Sequence, residues 1–209
     1  MHKLKHVLEE MAGEKAPGPT PTFSIFHLLY ALELIAEKPI GRNKLAKELK
    51  VGEGVVRTII NRLKDANLIK TSRAGCVLTS KGLKIWREYK SIFKKMVKLE
   101  KNELTFAECN YAILVKNCGH KVKSGMEQRD AAIIMGAKSA TTILFKTGCL
   151  RLPSVNEDLS KNFPNATKQI TKLLKPEEND VIIIVSANSW EKAIYGSLAA
   201  AWTLIDNSN

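Results

Sequence analysis

The sequence predicts an α+β protein built of two parts, and three observations support this. Apolar residues in the first half recur mainly at helical spacing. The second half alternates strand-like apolar runs with helical segments. Charge is also shared unequally, because residues 1–100 hold 20 Lys and Arg against 10 Asp and Glu, whereas residues 101–209 hold 13 against 11. A basic half joined to a near-neutral half indicates a polyanion-binding module linked to a second function.

Composition excludes several classes of protein. The chain has 209 residues, of which 44% are hydrophobic, so packed cores are expected and wholesale disorder is not. No apolar run approaches the ~20 residues that a membrane helix needs. The first residues lack an apolar signal-peptide core, so we expect a cytoplasmic protein with no membrane partner. The four cysteines are then expected as thiols.

Helical elements account for most of the first half. Residues 3–12 form a short amphipathic helix, and the Pro-rich stretch 17–21 forms a connector, so residues 1–21 are assigned as a helix and connector. The next helix begins near Thr22 and ends at Lys38-Pro39. The elements that follow are a two-turn helix over 42–49, a tight turn over 50–54, a helix from 55 to about 67, extended runs at 69–72 and 76–78, and a helix from 79 that continues through 94–98.

This order of elements resembles the winged helix-turn-helix family. The motifs that carry the resemblance are Leu45-Ala46-Lys47-Glu48-Leu49, the turn over 51–54, the helix over 55–63, Asn67-Leu68-Ile69 and Leu78-Thr79-Ser80-Lys81-Gly82. The resemblance covers residues 22–95 and implies a DNA-binding domain over 22–100. It implies that the helix over 55–63, the third helix of this DNA-binding domain, enters the major groove. It also implies that the hairpin, or wing, reaches phosphates or the minor groove.

The outward face of that third helix supplies the candidate contacts to DNA. Arg57 can donate two hydrogen bonds to guanine, and Asn61 can pair with adenine. Gly54 lets the backbone approach a phosphate, although Glu53 would repel one. The predicted DNA-binding residues are Arg42, Lys44, Lys50, Gly54, Val55, Arg57, Thr58, Asn61, Arg62 and Arg73. The alternative is a solvated helix face on a winged helix that binds protein.

The second half predicts a two-layer α/β sandwich over residues 105–209. Its expected strands are 109–115, 140–146, 149–152 and 180–186, and its expected helices are 125–135, 155–174 with an interruption at Pro164, and 189–205. Helices over one face of a four-stranded, mostly antiparallel sheet follow, in a ferredoxin-like or related arrangement. We expect this domain to dimerise, to sense a ligand, or both. The alanine-rich last helix either forms the dimer interface or packs on its own sheet.

Three segments of the second half carry a further resemblance. Arg129-Asp130-Ala131-Ala132-Ile133, the stretch over 136–142 and Ser186-Ala187-Asn188 resemble uncharacterised archaeal winged-helix proteins with a C-terminal α/β domain of unknown function. That resemblance covers nearly the whole chain. It implies the architecture of a regulator and supplies no ligand.

No catalytic or metal-binding constellation emerges from the sequence. Cys118-Gly119-His120 lacks the second close pair of ligands that zinc sites show. Gly136-Ala137-Lys138-Ser139 resembles the end of a phosphate-binding loop, but Ala137 separates the required Gly-Lys pair. We therefore expect no catalytic residues, no metal, no cofactor and no enzyme activity.

The turn after the last strand is a candidate anion site. Ser186, Asn188 and Ser189 precede a helix, where free backbone N–H groups and hydroxyls can hold an anion. Arg129 and Lys138 would add positive charge if the fold brings them near. Ordinary capping of the helix by Asn188 or Ser189 is the alternative.

The function that these patterns predict is sequence-specific regulation of transcription. The expected partners are double-stranded DNA, a second copy of the chain and a small anionic effector. Two alternatives stay open: an RNA- or ribosome-associated protein, since basic surface also attracts RNA, and an enzyme with an appended winged helix.

Overall fold

The computed structural model describes residues 2–13, 22–153, 155 and 158–206. The chain divides after Tyr89 into two compact units. The first unit contains, in chain order, α1 (His2–Ala12), α2 (Ile25–Glu37), α3 (Arg42–Leu49), α4 (Glu53–Asp65), β1 (Ile69–Ser72) and β2 (Gly75–Leu78), and α5 (Ser80–Ile92) crosses the division. The order of elements predicted from α2 to α5 is confirmed. The predicted connector at 17–21 lies outside the described residues.

The turn between α3 and α4 is tight because α3 ends on a left-handed residue. Lys50 has φ 56°, and its backbone N–H bonds to the carbonyls of the last turn of α3. The N–H of Val51 also donates to Ala46 O at 3.1 Å. This cap satisfies carbonyls that the helix end would leave unpaired. The two helices then share a fully buried apolar set made of Leu45, Leu49, Val56, Ile59 and Leu63.

The second unit is built around one sheet. Its strands and helices are β3 (Phe93–Leu99), β4 (Cys109–Val115), α6 (Met126–Ile134), β5 (Ser139–Lys146), β6 (Cys149–Arg151), α7 (Pro164–Leu174), β7 (Val181–Ala187) and α8 (Trp190–Asp206). The sheet has five strands in the order β3-β4-β7-β5-β6, and every neighbouring pair is antiparallel. The predicted four strands are therefore wrong, because β3 adds a fifth strand beside β4. The ferredoxin-like arrangement is also wrong, because that arrangement places its last strand at an edge of the sheet, whereas β7 lies between β4 and β5.

Strand β3 is the element that the sequence analysis placed in a helix. Its residues 95–99 pair with β4 in steady register, and a bulge follows Phe93. The bulge turns Phe93 to the opposite face, where its ring stacks on Trp202 at 6.3 Å. Val97 and Leu99 instead join the core under α7. The two units consequently divide ahead of the boundary expected at 100–105.

Helices cover both faces of the sheet, so the predicted two-layer sandwich is wrong. On one face, Ile182 and Ile184 of β7 share a core with Ala166 and Ile170 of α7. On the other face, Ala187 packs with Ala193 of α8. Every residue of β7 is buried as a result, which is why this strand is a continuous apolar run.

The alanine-rich helix α8 packs on its own sheet. Ala193, Ala200 and Ala201 are fully buried, and Trp202 is 7% exposed. Gly196 lies so close to the sheet that an added Cβ would sit 3.1 Å from Val185 Cγ1. These side chains are therefore not available as a dimer interface. No helix within the described ranges is long and apolar enough to cross a membrane.

Helix α7 begins at Pro164, which the sequence analysis treated as an interruption. Proline is favoured at the first position of a helix because its missing N–H would be unpaired there anyway. The Glu103 carboxylate accepts the N–H groups of Asn165 at 3.1 Å and Ala166 at 2.9 Å. Glu103 thus caps α7 from 61 residues away in sequence, which no local pattern could indicate.

Candidate nucleic-acid interface

An open groove of about 600 Å³ lies in the first unit between α4, the start of α3 and the β1–β2 hairpin. Its lining residues are Gly41, Arg42, Asn43, Lys44, Arg57, Ile60, Asn61, Thr71, Ser72, Arg73, Ala74, Gly75 and Cys76. Four of these side chains are cationic and none is acidic. The groove therefore has the charge that a polyanion requires.

The hairpin wall of the groove is held against the start of α3. Ile40 and Cys76 exchange two backbone hydrogen bonds, of 3.2 Å and 2.8 Å, and so form an isolated antiparallel bridge. Ser72 stabilises the hairpin turn, since its hydroxyl bonds Gly75 O at 3.1 Å and accepts the N–H of Ala74 at 3.2 Å. Arg73 lies exposed in this turn.

The helical wall of the groove is the polar face of α4. Arg57 and Asn61 are exposed and stand four residues apart, so they lie one above the other on the helix. The opposite side of α4 is anchored by buried Val56, Ile59 and Leu63. Cys76 lies buried at the base of the groove, and burial raises the pKa of its thiol while the Lys64 charge opposes that rise. The thiol is thus a packed, neutral group.

The structure brings half of the predicted DNA-binding residues together. Arg42, Lys44, Arg57, Asn61 and Arg73 all line the groove. Lys50 is exposed in the turn before α4. Gly54, Val55 and Thr58 lie on the first two turns of α4 outside the groove lining, and the Thr58 hydroxyl donates to Gly54 O at 3.1 Å.

Arg62 is the residue that the structure removes from this set. It is 8% exposed, and its Nη1 donates to the carbonyls of Met11 and Gly13 at the end of α1. Its guanidinium carbon also lies 5.1 Å from the centre of the Phe23 ring. The expectation that Arg62 faces outward is therefore wrong, because its charge caps a helix end within the first unit.

The backbone at the start of α4 is accessible to a binding partner. An added Cβ would meet nothing within 4 Å at Gly52 or Gly54, so neither glycine is required by the packing of the chain. Their small size instead leaves the first N–H groups of α4 accessible from outside. Glu53 occupies the first turn and opposes an approaching phosphate.

The predicted anion site does not form as expected. Ser186 is fully buried, and its hydroxyl accepts the N–H of Phe106 at 3.0 Å, so it cannot face a ligand. Ser189 caps α8, since its hydroxyl accepts the N–H of Lys192 at 3.4 Å and its carbonyl that of Ala193 at 3.1 Å. Asn188 is exposed beside it. Capping is therefore the interpretation that the geometry favours.

The two cations expected at that turn are placed differently from each other. Lys138 is exposed, and its backbone N–H bonds Ser186 O at 2.8 Å, so it is a neighbour of the turn. Arg129 lies on α6 and pairs with the adjacent Asp130 at 3.0 Å. No described contact brings Arg129 to the turn.

Sequence reasoning missed several polar residues of the groove. Asn43, Thr71 and Ser72 line it beside the cations already named. The available signal was that each lies within two residues of Arg42 or Arg73 in the sequence. The bridge between Ile40 and Cys76, which the sequence does not indicate, makes these two segments neighbours.

The comparisons with known proteins follow the same division of the chain. Residues 25–93 match the family described as CggR N-terminal DNA binding domain. Residues 106–204 match a domain of unknown function, DUF4443. Among solved structures, a hypothetical protein from Pyrococcus horikoshii OT3 is 28% identical, with a TM-score of 0.74 over 89% of this chain and 95% of that chain. No curated protein matches.

These similarities indicate DNA binding and transcription regulation for the part of the chain that holds the groove. They support duplex DNA as its partner. They assign no activity to the second unit, whose matching family has none in its description.

Proposed function

We propose that the chain is a sequence-specific transcriptional regulator that binds duplex DNA through the groove of its first unit. The observation that carries this proposal is the groove itself, which joins four cations and Asn61 without an acidic side chain. Helix α4 enters the major groove of DNA, and the hairpin turn at Arg73 lies against the backbone or the minor groove.

The roles of the groove residues follow from their chemistry. The Arg57 guanidinium donates two hydrogen bonds to the O6 and N7 acceptors of guanine, and the Asn61 amide matches the edge of adenine. Because these side chains are one helical turn apart, they reach neighbouring base pairs. Arg42 and Lys44 lie at the start of α3, where they neutralise phosphates and fix the orientation of the protein.

The second unit supplies dimerisation, ligand sensing, or both. One winged helix buries a limited surface on DNA, and two-fold pairing doubles the contacts. A dimer would place half-sites about 34 Å apart or at a multiple of that spacing. Because the apolar face of α8 is buried against its own sheet, the surface for pairing lies elsewhere on this unit.

Competition binding with the full-length protein tests the proposal. The protein is bound to its preferred duplex, selected from a random library, and competed with random duplex and with RNA. Arg57→Ala and Asn61→Ala should each cost about 1–3 kcal/mol on the preferred duplex and reduce the preference for it. Arg73→Ala should weaken all duplexes more evenly, because a wing contacts backbone and groove shape.

Arg87→Ala is the matched control, since Arg87 is an exposed cation on α5 outside the groove. It should change affinity by no more than the general loss of one charge. Affinity should also fall steeply with salt, by about 0.9 log units per log unit of salt for each phosphate contact. Unchanged preference in the Arg57 and Asn61 variants would refute the assignment of α4. Stronger competition by RNA would favour an RNA-binding protein instead.

A further inference from the structure

A second cavity, of about 540 Å³, lies in the second unit where β4 and α8 begin. Its walls are the chain leaving β3 at Leu99–Lys101, the loop 105–108 before β4, Asn110 and Trp190. The cavity adjoins the turn that the sequence analysis proposed for an anion, but none of Ser186, Asn188 and Ser189 lines it. It also lies outside the groove proposed for DNA.

Two aromatic side chains in the cavity wall face solvent. Phe106 is 63% exposed and Trp190 is 38% exposed, whereas most large apolar side chains of this unit are buried. The Lys98 ammonium lies 4.2 Å from the centre of the Trp190 ring, and Tyr111 meets the ring edge-on at 6.4 Å. The exposed indole thus already attracts a cation to its face.

Asn110 supplies an acceptor without a donor. The side chain is 3% exposed, and its Nδ2 donates to Ala107 O at 2.9 Å. That bond sets the orientation of the amide, because the reverse orientation would oppose two oxygens. The Oδ1 atom then has no hydrogen-bond partner. A buried acceptor in this state destabilises the fold unless a donor reaches it.

The charged side chains of the wall are two carboxylates and one ammonium group, those of Glu100, Glu108 and Lys101. Glu100 and Glu108 line the cavity, and neither pairs with a cation in the part of the chain that the structure describes. Two donors of the loop before β4 are already used, since the N–H of Phe106 bonds Ser186 Oγ at 3.0 Å and the Thr105 hydroxyl bonds Asn102 O at 2.8 Å. A cation rich in N–H donors complements the two carboxylates and the unpartnered Asn110 oxygen of this wall.

We propose that this cavity binds a small organic cation with several N–H donors, such as an alkyl polyamine or a guanidinium compound. The alkyl part lies against Phe106 and Trp190, where it excludes water from apolar surface. The charged groups approach the carboxylates of Glu100 and Glu108 and the ring face of Trp190, and Asn110 accepts a hydrogen bond. The ligand competes with Lys98 for the indole.

Binding is measured by calorimetry on the full-length protein without DNA, using spermidine and agmatine as probes. Glutarate and adenine are the anionic and neutral planar comparators. We expect saturable binding of at least one cation and none of the comparators. Because DNA is absent, a negative result overturns the cation site and leaves the DNA-binding proposal untouched. Binding of glutarate or adenine in preference to the cations also overturns it.

Variants then locate the site. Glu100→Gln with Glu108→Gln should weaken cation binding by about tenfold, and Trp190→Ala by a similar factor. Glu191→Gln is the matched control, because Glu191 is exposed next to Trp190 but does not line the cavity. Lys98→Met should tighten binding, since it removes the internal competitor, and a damaged fold would not produce that result. Equal binding by the double variant and the Glu191 control would overturn the proposal.

Discussion

Gly75 lies against Ile40 with no room for a side chain. An added Cβ at Gly75 would sit 2.5 Å from the Ile40 carbonyl carbon and 2.6 Å from its oxygen. Gly75 also has φ 121°, a conformation that side-chain-bearing residues rarely adopt. The bridge between Ile40 and Cys76 depends on this approach. One glycine therefore positions the hairpin wall of the groove.

We predict that Gly75→Ala detaches the hairpin and destabilises the first unit. Backbone strain alone costs about 1–3 kcal/mol, and the collision with Ile40 adds to it. Gly148→Ala is the matched control, since Gly148 also has positive φ but an added Cβ would meet nothing within 4 Å. Urea unfolding followed by circular dichroism measures both. A loss at Gly75 no larger than that at Gly148 would contradict the close approach.

The two arginines of α4 should contribute to different properties, Arg62 to the stability of the protein and Arg57 to DNA binding. Arg62→Ala should lower the free energy of unfolding by about 2 kcal/mol, because charge-assisted hydrogen bonds to Met11 and Gly13 are lost. Arg57→Ala should leave stability within about 0.5 kcal/mol of wild type, as an exposed residue does, while reducing DNA affinity. Thermal unfolding and duplex titration are compared for both variants. Equal stability of the two would show that α1 does not depend on Arg62.

Gly54→Ala should move stability and DNA affinity in opposite directions. Alanine favours a helix by up to about 1 kcal/mol over glycine, and the added Cβ meets nothing in the chain. If the backbone at the start of α4 approaches a phosphate, the same methyl group should weaken DNA binding. A Gly54→Ala protein that is more stable than wild type is correctly folded, so any loss of its DNA affinity is not due to misfolding. A more stable protein with unchanged affinity would place the phosphate away from Gly54.

Because strand β3 belongs to the sheet of the second unit, a fragment of this unit should fold only if it includes β3. A fragment of residues 90–209 keeps all five strands, whereas a fragment of 105–209 exposes the edge of β4 and the apolar faces that Phe93 and Leu99 cover. We expect the longer fragment to fold and the shorter one to aggregate. Sedimentation at low and high salt measures this.

The same experiment tests dimerisation. Apolar pairing of the longer fragment should survive high salt, because screening weakens only charge interactions. A strict monomer at both salt concentrations, for the fragment and for the whole protein, would leave ligand sensing as the role of this unit.

The Glu103 carboxylate should make the stability of the second unit depend on pH in the acid range. Burial opposes ionisation of this carboxyl, but hydrogen bonds from its own backbone amide, Asn165 and Ala166 outweigh it and hold its pKa below the usual range. A lowered pKa in the folded state gives stability that is present above the unfolded value of about 4.3 and is lost as the pH falls through the folded value.

Glu103→Gln should therefore unfold more easily than wild type near neutral pH, and the difference should shrink in acid. Urea unfolding midpoints across the acid range measure it. Glu178→Gln, which removes an exposed carboxylate that accepts the Thr147 N–H at 3.0 Å, is a comparison outside α7. A difference between Glu103→Gln and wild type that stays constant with pH would mean that the cap does not depend on the charge.

Local patterns were enough for most of the elements and for part of the candidate site. The spacing of apolar residues predicted α2 to α5, and the strand 109–115 matches β4 at both ends. Arg57 and Asn61 could be chosen because a helix with a known buried stripe leaves a defined polar face. Arg62 could not be excluded in the same way, since its partners Met11 and Gly13 lie about 50 residues away.

The sequence by itself determined the helical first half, the strands of the second, and the basic character of the groove residues, because these depend on periodicity and composition within a short window. Tertiary structure alone decided that residues 93–99 form an edge strand, that helices cover both faces of the sheet, and that Arg62 turns inward. It also decided that Ser186 is buried while Phe106 and Trp190 share a cavity wall. Each of these depends on which distant segments pack together, and the free energy of burial and pairing between such segments outweighs the small local preference of either one.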